Sequence, residues 1–315
     1  MAVRPSRTVI ASLAAAAGAW YLAACALSGA APIPVFIFGV IADVQYRDAE
    51  PSGTRFYRES SAKLAEAVER FNELRPAFVV QLGDLIDGVS ASYDVVLPIM
   101  ARLGPPAYHV LGNHDQSVEM EQQRTVLRRL GLDRLGSGRG YYDFARQGWR
   151  FLVLNGNDLS VIASPEGSPE RNAATAMLEA LKKRNAPNAQ TWNGGIGAVQ
   201  LAWLKRTLAR AESAHERVVV FCHFPVLPPG SATLWNDREV LAALEASPAV
   251  VANFSGHEHR GGYAEQGGIH FVTLRGVVEG HDSAYALVEV YADRLELKGF
   301  GREPSRTLTI RGAFQ

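Results

Sequence analysis

Five short polar clusters in the sequence contain residues that could bind metal ions. Each follows an apolar run, and together they supply carboxylate, amide and imidazole groups: Asp43 with Gln45, GDLID at 83–87, GNHD at 112–115, His223 in CHFP, and GHEH at 256–259. These oxygen and nitrogen ligands suit Mn, Fe, Zn or Mg better than Cu(I) or an iron–sulfur cluster. A carboxylate such as Asp84 can bridge two cations, and a pair of cations activates a water while holding the oxygens of a transferring phosphoryl group. The clusters therefore predict a two-metal centre for phosphoryl chemistry.

A simpler explanation exists for each cluster taken alone. An aspartate at a strand end commonly caps a helix or forms a turn, and GNHD could be a turn with its asparagine at positive φ. A single strand histidine, such as His109 or His270, is more often a satisfied core residue than a ligand. Five clusters that each end an apolar run are hard to explain in this way, so the set favours one shared site.

The elements that must position these clusters alternate between strand-like and helix-like segments. Apolar β-branched runs such as VFIFGVIAD and AFVVQLGD are separated by amphipathic runs, a pattern that predicts the order β-α-β-α-β. In the first amphipathic run, Leu64, Val68 and Phe71 recur at helical spacing. Each strand ends in a polar cluster, which is where open α/β sheets place their ligands. The order therefore predicts an α/β fold with the site at the strand ends.

The remaining segments predict a second sheet and two long loops. Alternating runs in the C-terminal third, GGIHFVTLRGV, AYALVEVYAD and RLELKGFG, are typical of antiparallel strands. We expect them to form a second, more antiparallel sheet packed on the first. Segments 163–176 and 185–197 have the composition of loops, and their length favours a functional role.

The composition favours a small-molecule partner. The 315 residues are 47% hydrophobic, which is enough for a substantial core. Lys+Arg and Asp+Glu both number 32, so the formal net charge is zero and no overall field attracts nucleic acid or an anionic membrane. We therefore expect a small phosphate-containing substrate, with neither nucleic acid nor a protein partner. The two cysteines, Cys25 and Cys222, provide no disulfide framework.

Residues 1–32 have the pattern of an export signal. Arg4 and Arg7 precede an uncharged Ala/Leu-rich run, and small residues and a proline follow it. LAAC resembles the lipobox at which bacterial lipoproteins are lipidated, here on Cys25, while SGA just beyond is compatible with ordinary cleavage. The apolar run also approaches the length of an uncleaved membrane anchor. All three alternatives predict an exported, periplasmic or envelope-attached protein that meets the membrane only through this segment or its lipid, with the remaining domain at 33–315.

The order of the clusters, D-x-[HQ], GD-x-x-D, GNH[DE], H and GH-x-H, resembles that of the calcineurin-like metallophosphoesterases. The resemblance implies a four-layered α/β/β/α metallophosphoesterase sandwich, with two mixed sheets flanked by helices. It implies a first metal held by Asp43, Gln45, Asp84 and His259, and a second held by Asp84, Asn113, His223 and His257. It also implies that His114 faces the scissile phosphate as an acid or charge stabiliser, oriented by Asp115, while Asp87 is structural.

Several longer stretches narrow the resemblance. GVIADVQY, RFYRES, QLGDLIDG, GHEHRGGY and TLRGVVEG are similar to the manganese-dependent ADP-ribose/CDP-alcohol diphosphatases. That family implies an enzyme that hydrolyses the diphosphate bridge of nucleoside diphosphate-linked sugars or alcohols by a metal-bridged hydroxide. It implies two divalent metal ions, with Mn favoured and Mg, Fe or Zn as alternatives.

Other activities stay open because the clusters encode phosphate handling and not the leaving group. A phosphomonoesterase, a cyclic nucleotide phosphodiesterase or a lipid-linked diphosphatase would carry the same signature. A non-enzymatic metal-binding protein on this scaffold is a further alternative, but it would be marked by the loss of a ligand or of His114, and none is lost.

Gln45 is the distinctive ligand candidate. An amide oxygen is neutral and hard, so placing it where an imidazole could stand leaves the metal more Lewis-acidic and favours manganese or magnesium over zinc. The alternative is that Gln45 only hydrogen-bonds a neighbour, since glutamine is an uncommon ligand.

The substrate contacts have a weaker signal. We expect Trp192 and Asn193 to stack on a base or close the pocket, and Arg260 and Arg275 to neutralise a second phosphate. A glycine-rich turn is the alternative for the first pair, and ordinary surface solvation is the alternative for the second. The residues expected at the edge of the site are Glu279 and His281.

Overall fold

The structure is a computed structural model that describes residues 32–312. The strands are β1 Phe36–Ile41, β2 Val79–Gln81, β3 Ala107–His109, β4 Tyr142–Arg146, β5 Trp149–Leu154, β6 Arg217–Cys222, β7 Val250–Ser255, β8 Arg260–Gln266, β9 Ile269–Arg275, β10 Ala284–Val290, β11 Arg294–Gly301 and β12 Arg306–Thr309. The helices are α1 Ser60–Leu74, α2 Tyr93–Met100, α3 Asn113–Gln116, α4 Met120–Arg129, α5 Pro169–Lys183, α6 Ala198–Ser213 and α7 Asp237–Glu245. Within residues 32–312, no helix combines the length and the apolar character needed to cross a membrane. The predicted export signal, except for its last residue, lies outside the described residues.

The strands form two six-stranded sheets. Their orders are β12-β11-β10-β1-β2-β3 and β4-β5-β6-β7-β9-β8. In the first sheet β1, β2 and β3 are parallel, and β10 pairs antiparallel with β1. In the second sheet β5, β6, β7 and β9 are parallel, with β4 and β8 added antiparallel at the two edges. Both sheets are mixed, as predicted.

The C-terminal strands do not form the second sheet by themselves. The strands β10, β11 and β12 extend the first sheet from β1, whereas β8 and β9 complete the second. The prediction of a separate C-terminal sheet is therefore wrong. It assumed that neighbours along the chain share a sheet, but β1 offers its second edge to a strand that is distant in sequence, and side-chain alternation looks the same in either sheet.

The apolar layer between the sheets is built around Phe38 on β1. Its ring stacks on Phe78 with centroids 5.1 Å apart, and it makes edge contacts with Phe151, Phe221 and Phe254 at 5.7, 6.1 and 6.2 Å. The last three lie on β5, β6 and β7, so one residue of the first sheet touches three strands of the second. Such ring pairs contribute about 0.5–1.5 kcal/mol each beyond their buried area. This layer fixes the strand ends of one sheet relative to those of the other.

Helices cover the outer faces of both sheets. The predicted stripe of α1, Leu64, Val68 and Phe71, is buried, and a side chain on Gly39 of β1 would meet the Phe71 ring at 2.7 Å. Leu204 of α6 is buried in the apolar cluster that includes residues of the second sheet. The layers are therefore α/β/β/α, which confirms the predicted fold class.

One predicted loop is partly helical. The helix α5 begins at Pro169, and the Oγ of Ser168 accepts a hydrogen bond from the Arg171 amide at 3.1 Å. The prediction of a loop throughout 163–176 is wrong because serine followed by proline is also a helix-start signal. The second predicted loop, 185–197, contains no helix and only an isolated bridge between Leu159 and Gly195.

Candidate metal centre

The predicted ligands lie where strands of both sheets end. Asp43 follows β1, Asp84 follows β2, and Asn113 opens α3 after β3. His223 follows β6 directly, and His257 follows β7. The ligands therefore come from the carboxyl ends of parallel strands in two facing sheets, and the site forms only when those sheets pack together.

Several of these residues have left-handed backbone. The φ angles are 53° at Asp43, 44° at Gln45, 56° at Asp84 and 68° at His257. Such conformations cost about 1–3 kcal/mol each for a residue with a side chain, and they concentrate at functional sites. These left-handed residues follow β1, β2 and β7, at the points where the chain leaves the sheet and reaches the predicted ligands.

The second predicted ligand set is closely assembled. One ligand atom each from Asp84, His223 and His257 lie within 4.8 Å of one another. The Nε2 of His223 lies 3.3 Å from Asp84 Oδ2 and 3.1 Å from Asn113 Oδ1. His223 Nδ1 lies 2.8 Å from the Leu82 carbonyl oxygen and donates to it, which leaves Nε2 as the nitrogen that would bind a cation.

The first predicted set adjoins the second through Asp84. The amide nitrogen of Gln45 donates to Asp84 Oδ2 at 3.0 Å and lies 3.1 Å from His259 Nε2. His259 Nε2 in turn lies 3.5 Å from Asp43 Oδ1. Burial alone would raise the pKa of Asp84, but the charges of His223 and His114 hold it well below its usual range. Asp84 therefore stays ionised between the two sets.

Gln45 provides a direct test of whether the residues fit metal ions. Its Oε1 is buried and has no hydrogen-bond partner among the described residues. An unpaired buried amide oxygen costs about 1–3 kcal/mol, whereas a hard cation would use it as a ligand. Together with the imidazole lone pairs and the shared carboxylate, this oxygen completes donor sets that fit two divalent cations.

Two residues outside the ligand sets hold the histidines of GHEH in place. Glu279 Oε1 lies 2.7 Å from His259 Nδ1, and Asn193 Oδ1 lies 2.9 Å from His257 Nε2. The amide nitrogen of Asn193 donates to the carbonyl oxygens of Asn188 and Ser231, at 3.1 and 2.7 Å. The amide orientation is therefore fixed, so His257 must donate from Nε2 and keep its lone pair on Nδ1.

Asn193 differs from its predicted role. We expected it to contact substrate, but it is fully buried and does not line the pocket described below. The sequence showed a glycine-rich loop and could not show that the asparagine points inward to His257. Glu279, expected only at the edge of the site, is also in contact with a predicted ligand.

His114 is held by Asp87 and not by Asp115. The Nδ1 of His114 lies 2.5 Å from Asp87 Oδ1, and its Nε2 lies 4.0 Å from Asp84 Oδ2. Burial alone would lower the pKa of His114, but the carboxylates of Asp84 and Asp87 raise it. The imidazole therefore keeps its second proton to a higher pH than an ordinary histidine, and its Nε2 faces Asp84.

Asp115 organises the backbone around Asp84. Its carboxylate accepts hydrogen bonds from the amides of Gly112, Asp84 and Leu85, at 3.0, 2.9 and 3.1 Å, and from the Tyr93 hydroxyl at 2.9 Å. The predicted contact with His114 is wrong because Asp115, in the first turn of α3, points back to the start of its own helix and to the neighbouring loop.

An open pocket of about 920 Å³ lies over the ligands. Its lining includes Gln45, Asn113, His114, His257 and His259, so four of the predicted metal ligands and the predicted acid face one space. A pocket of this size accommodates a ligand as large as a nucleotide.

The predicted substrate contacts divide between the pocket and the interior. Trp192, which is 47% exposed, lines the pocket together with Arg260 and Arg275. Arg55 and Arg302 also line it, and no pattern in the sequence singled them out.

The remaining histidine candidates lie outside the ligand sets. His270 is buried, and its two ring nitrogens contact the Tyr263 hydroxyl and the Thr309 carbonyl. His281 is exposed, pairs with Glu59 at 2.9 Å and does not line the pocket.

Comparison with known proteins agrees with this geometry. Residues 36–261 match the family model described as calcineurin-like phosphoesterase. A manganese-dependent ADP-ribose/CDP-alcohol diphosphatase of Homo sapiens is 34% identical over 321 residues, covering 88% of this chain and 93% of the relative, and one of Xenopus tropicalis is 33% identical over 325 residues, covering 88% and 95%. The crystal structure of a dimetal phosphatase from Danio rerio superposes with a TM-score of 0.80 at 32% identity, covering 88% of this chain and all of that one. The chain therefore belongs to the calcineurin-like phosphoesterase family, and it is a metal-dependent hydrolase.

Proposed function

We propose that the protein hydrolyses the diphosphate bridge of nucleoside diphosphate-linked sugars or alcohols, of the ADP-ribose and CDP-alcohol kind, with two divalent cations. The observation that carries the proposal is Gln45, whose amide nitrogen contacts Asp84 and His259 of the site and whose Oε1 is buried without a hydrogen-bond partner among the described residues. The relatives whose names state this activity, at 31–34% identity, support the substrate class. Manganese is the favoured metal, because an oxygen-rich ligand set suits manganese better than zinc.

The chemistry of the cations and that of the protein side chains are complementary. Two cations bound by the two ligand sets would polarise the phosphoryl oxygens and lower the pKa of a water for attack on phosphorus. Asp84, which is fully buried, contributes its two carboxylate oxygens at the junction of the sets, and the open pocket above the sets gives substrate and water access.

His114 is the proposed proton donor. Asp87 accepts the Nδ1 proton, so the second proton of the imidazolium is on Nε2, the nitrogen that faces Asp84 and the pocket. From Nε2 a proton or a hydrogen bond can reach the leaving oxygen of the phosphoanhydride. A positioned donor of this kind contributes about 10²–10⁴-fold to the rate.

A substrate screen tests the proposal. Protein stripped of metal and reconstituted separately with Mn, Mg, Zn and Fe is assayed with ADP-ribose, CDP-choline, cyclic AMP and a simple phosphomonoester. We expect the highest kcat/KM for a diphosphate-bridged substrate in manganese. Strong monoester or cyclic nucleotide cleavage without diphosphatase activity would assign the site to another phosphoesterase reaction.

The variant His114→Ala tests the mechanism in the same assay. It should bind metal as the wild type does and lose about 10²–10⁴-fold in kcat. His270→Ala is the control, since that buried histidine lies outside the ligand sets. An unchanged rate in His114→Ala would remove the proposed proton donor.

We also propose that the protein acts outside the cytoplasmic membrane. The support is the sequence of residues 1–32, with its arginines, its apolar run and Cys25 in LAAC. Mass spectrometry of the mature protein should find a lipidated Cys25 or an N-terminus created by cleavage after the small residues. An intact, unlipidated Met1 on cytosolic protein would contradict export.

A further inference from the structure

The charged groups that line the pocket are not balanced. Four arginines line it, Arg55, Arg260, Arg275 and Arg302, together with only two glutamates, Glu258 and Glu279. Each glutamate pairs with one arginine: Arg55 Nε lies 3.4 Å from Glu279 Oε1, and Arg260 Nε lies 3.1 Å from Glu258 Oε1. Arg275 and Arg302 remain as the unpaired positive charges of the lining.

Arg275 and Arg302 are held in place by neutral acceptors. Arg275 Nη1 donates to the Arg302 carbonyl oxygen at 2.6 Å, and Arg302 donates from Nε to the Asp282 carbonyl and from Nη2 to the Gly276 carbonyl. Within residues 32–312, neither guanidinium contacts a carboxylate side chain. The Nε and Nη2 of Arg275 and the Nη1 of Arg302 keep N–H groups without a protein acceptor in that range. The two side chains are therefore positioned but not neutralised.

Nearby carboxylates, those of Glu279, Asp282 and Glu303, raise the pKa of Arg302, but no ion pair joins them to its guanidinium within residues 32–312. Glu303 accepts a hydrogen bond from the backbone amide of Arg275 at 2.8 Å, but it does not contact the guanidinium. Burial raises the pKa of Glu303 to about 7, which weakens it as a counter-charge. Burial lowers the pKa of Arg302, the charge of Glu279 raises it and the charge of Arg275 lowers it, so an anion that joined the two arginines would relieve their mutual repulsion.

The pair lies beside the first ligand set. Gly276 links the two, because its carbonyl accepts from Arg302 while its amide donates to the His259 carbonyl at 3.1 Å. The approach is close: a side chain on Gly276 would lie 2.9 Å from the ring of His259. Arg275, Arg302 and His259 also line the same pocket, so an anion on the two guanidiniums would share that pocket with a phosphate on the ligands. A diphosphate-bridged compound has two phosphates that could occupy the two positions.

We propose that Arg275 and Arg302 form a second phosphate subsite, which binds the phosphate that departs with the sugar or alcohol half of the substrate. The inference rests on the proposed function for the identity of that half. The guanidinium fork suits two phosphate oxygens, and charge-assisted hydrogen bonds of this kind are stronger than neutral ones. The subsite makes the enzyme selective for bonds that have a second phosphate on the leaving side.

The first test compares two substrates with the manganese-loaded enzyme. In Arg275→Gln, kcat/KM for ADP-ribose should fall roughly 10- to 100-fold, while kcat/KM for bis(para-nitrophenyl) phosphate, which has one phosphate, should stay within about two-fold. Arg275→Lys keeps the charge, so its kcat/KM for ADP-ribose should lie between those of the wild type and Arg275→Gln. Arg146→Gln is the matched control, because Arg146 is exposed at the end of β4 and does not line the pocket. Equal losses on both substrates, or no loss on ADP-ribose, would overturn the subsite.

The second test does not depend on ADP-ribose being a substrate. Ribose 5-phosphate and AMP, the two halves of ADP-ribose hydrolysis, are measured as inhibitors of bis(para-nitrophenyl) phosphate cleavage and by calorimetric titration of the manganese-loaded protein. In Arg275→Gln, the affinity for ribose 5-phosphate should fall roughly tenfold or more, and the affinity for AMP should be nearly unchanged. Unchanged ribose 5-phosphate affinity would reject the subsite. Failure of the wild type to cleave ADP-ribose would instead reject the proposed function.

Discussion

Asp87 controls the proton of His114 at the residue scale. Its carboxylate contacts Nδ1 and raises the pKa of the imidazole, and this contribution persists when bound cations neutralise Asp84. In Asp87→Asn the pKa of His114 should fall. As the pH rises, the variant would therefore lose its protonated donor at a lower pH than the wild type does. We expect the alkaline limb of the kcat profile to move to lower pH.

The measurement is kcat against pH with a substrate whose chemical step is rate-limiting. Asp94→Asn serves as the control, because Asp94 is an exposed aspartate that pairs with Arg129 on the surface. An alkaline limb at the same pH in Asp87→Asn and wild type would show that His114 does not carry the required proton.

We expect Gln45 to influence the metal preference, also at the residue scale. In Gln45→His an imidazole replaces the amide oxygen in the first ligand set, and nitrogen ligands favour zinc over manganese. We expect zinc affinity to rise relative to manganese affinity, and activity in manganese to fall. Calorimetric titration of metal-free protein with each cation measures the first effect, and Gln266→His, at an exposed position, is the control. The same ratio of affinities in Gln45→His and wild type would show that Gln45 is not a ligand.

At the scale of elements, the loop 185–197 supports a strand-end ligand. Asn193 lies in this loop. Its amide nitrogen donates to the carbonyl of Asn188, in the same loop, and to that of Ser231, and its amide oxygen accepts from His257. In Asn193→Ala the imidazole loses its orienting acceptor, and manganese affinity should fall roughly 10- to 100-fold, as is typical for partners of metal ligands.

Asn193→Asp is the matched variant for this prediction. It keeps an acceptor for His257 Nε2 and should retain most of the manganese affinity, although it loses the donors to the two carbonyls. Thermal unfolding of both metal-free variants separates the effect on the loop from the effect on the metal. Equal manganese affinity in Asn193→Ala and wild type would contradict the role of the loop.

The sequence predicted the elements near the site better than those that complete the sheets. Polar clusters after apolar runs identify strand ends such as Asp43 and Asp84 because the ligand and the strand are encoded within a few residues. The pairing of β10 with β1 depends on residues more than 200 positions apart, as for Phe38 and Val288, and alternation alone does not specify it.

The contacts behind the ligands were the least predictable part of the site. Asp87 and Asp115 are both acidic residues next to a ligand, and only the turn at the start of α3 decides which one reaches His114. Local composition predicted that Asn193 lay in a loop but not that it pointed inward. Side-chain direction in a loop depends on contacts with distant segments, here Ser231 and His257.

For the whole molecule, the site lies across the packing of the two sheets. The ligand sets combine residues after β1, β2 and β3 of the first sheet with residues after β6 and β7 of the second. Metal ions bound there would stabilise the association of the sheets, and with it the entire fold. Manganese at about 100 times its Kd should add about 2.7 kcal/mol to the free energy of unfolding, by mass action.

Differential scanning calorimetry with manganese and with EDTA measures this effect. A gain of 1 kcal/mol in a chain of this size raises Tm by about 1.5 °C, and the shift should apply to one cooperative transition. Asp84→Asn, which weakens both ligand sets, should lose most of the shift. A manganese-dependent change confined to a minor transition would mean that the site does not couple the sheets.

The left-handed backbone at Asp43, Gln45, Asp84 and His257 has a consequence for protein engineering. Glycine adopts these φ angles without steric cost, so replacing any of the four with glycine relieves local strain and deletes a proposed ligand in the same step. Selection for thermal tolerance of the metal-free protein would therefore favour an inert variant that keeps the fold. A library built on this scaffold should hold these four positions constant, because a score based only on folding energy treats them as defects.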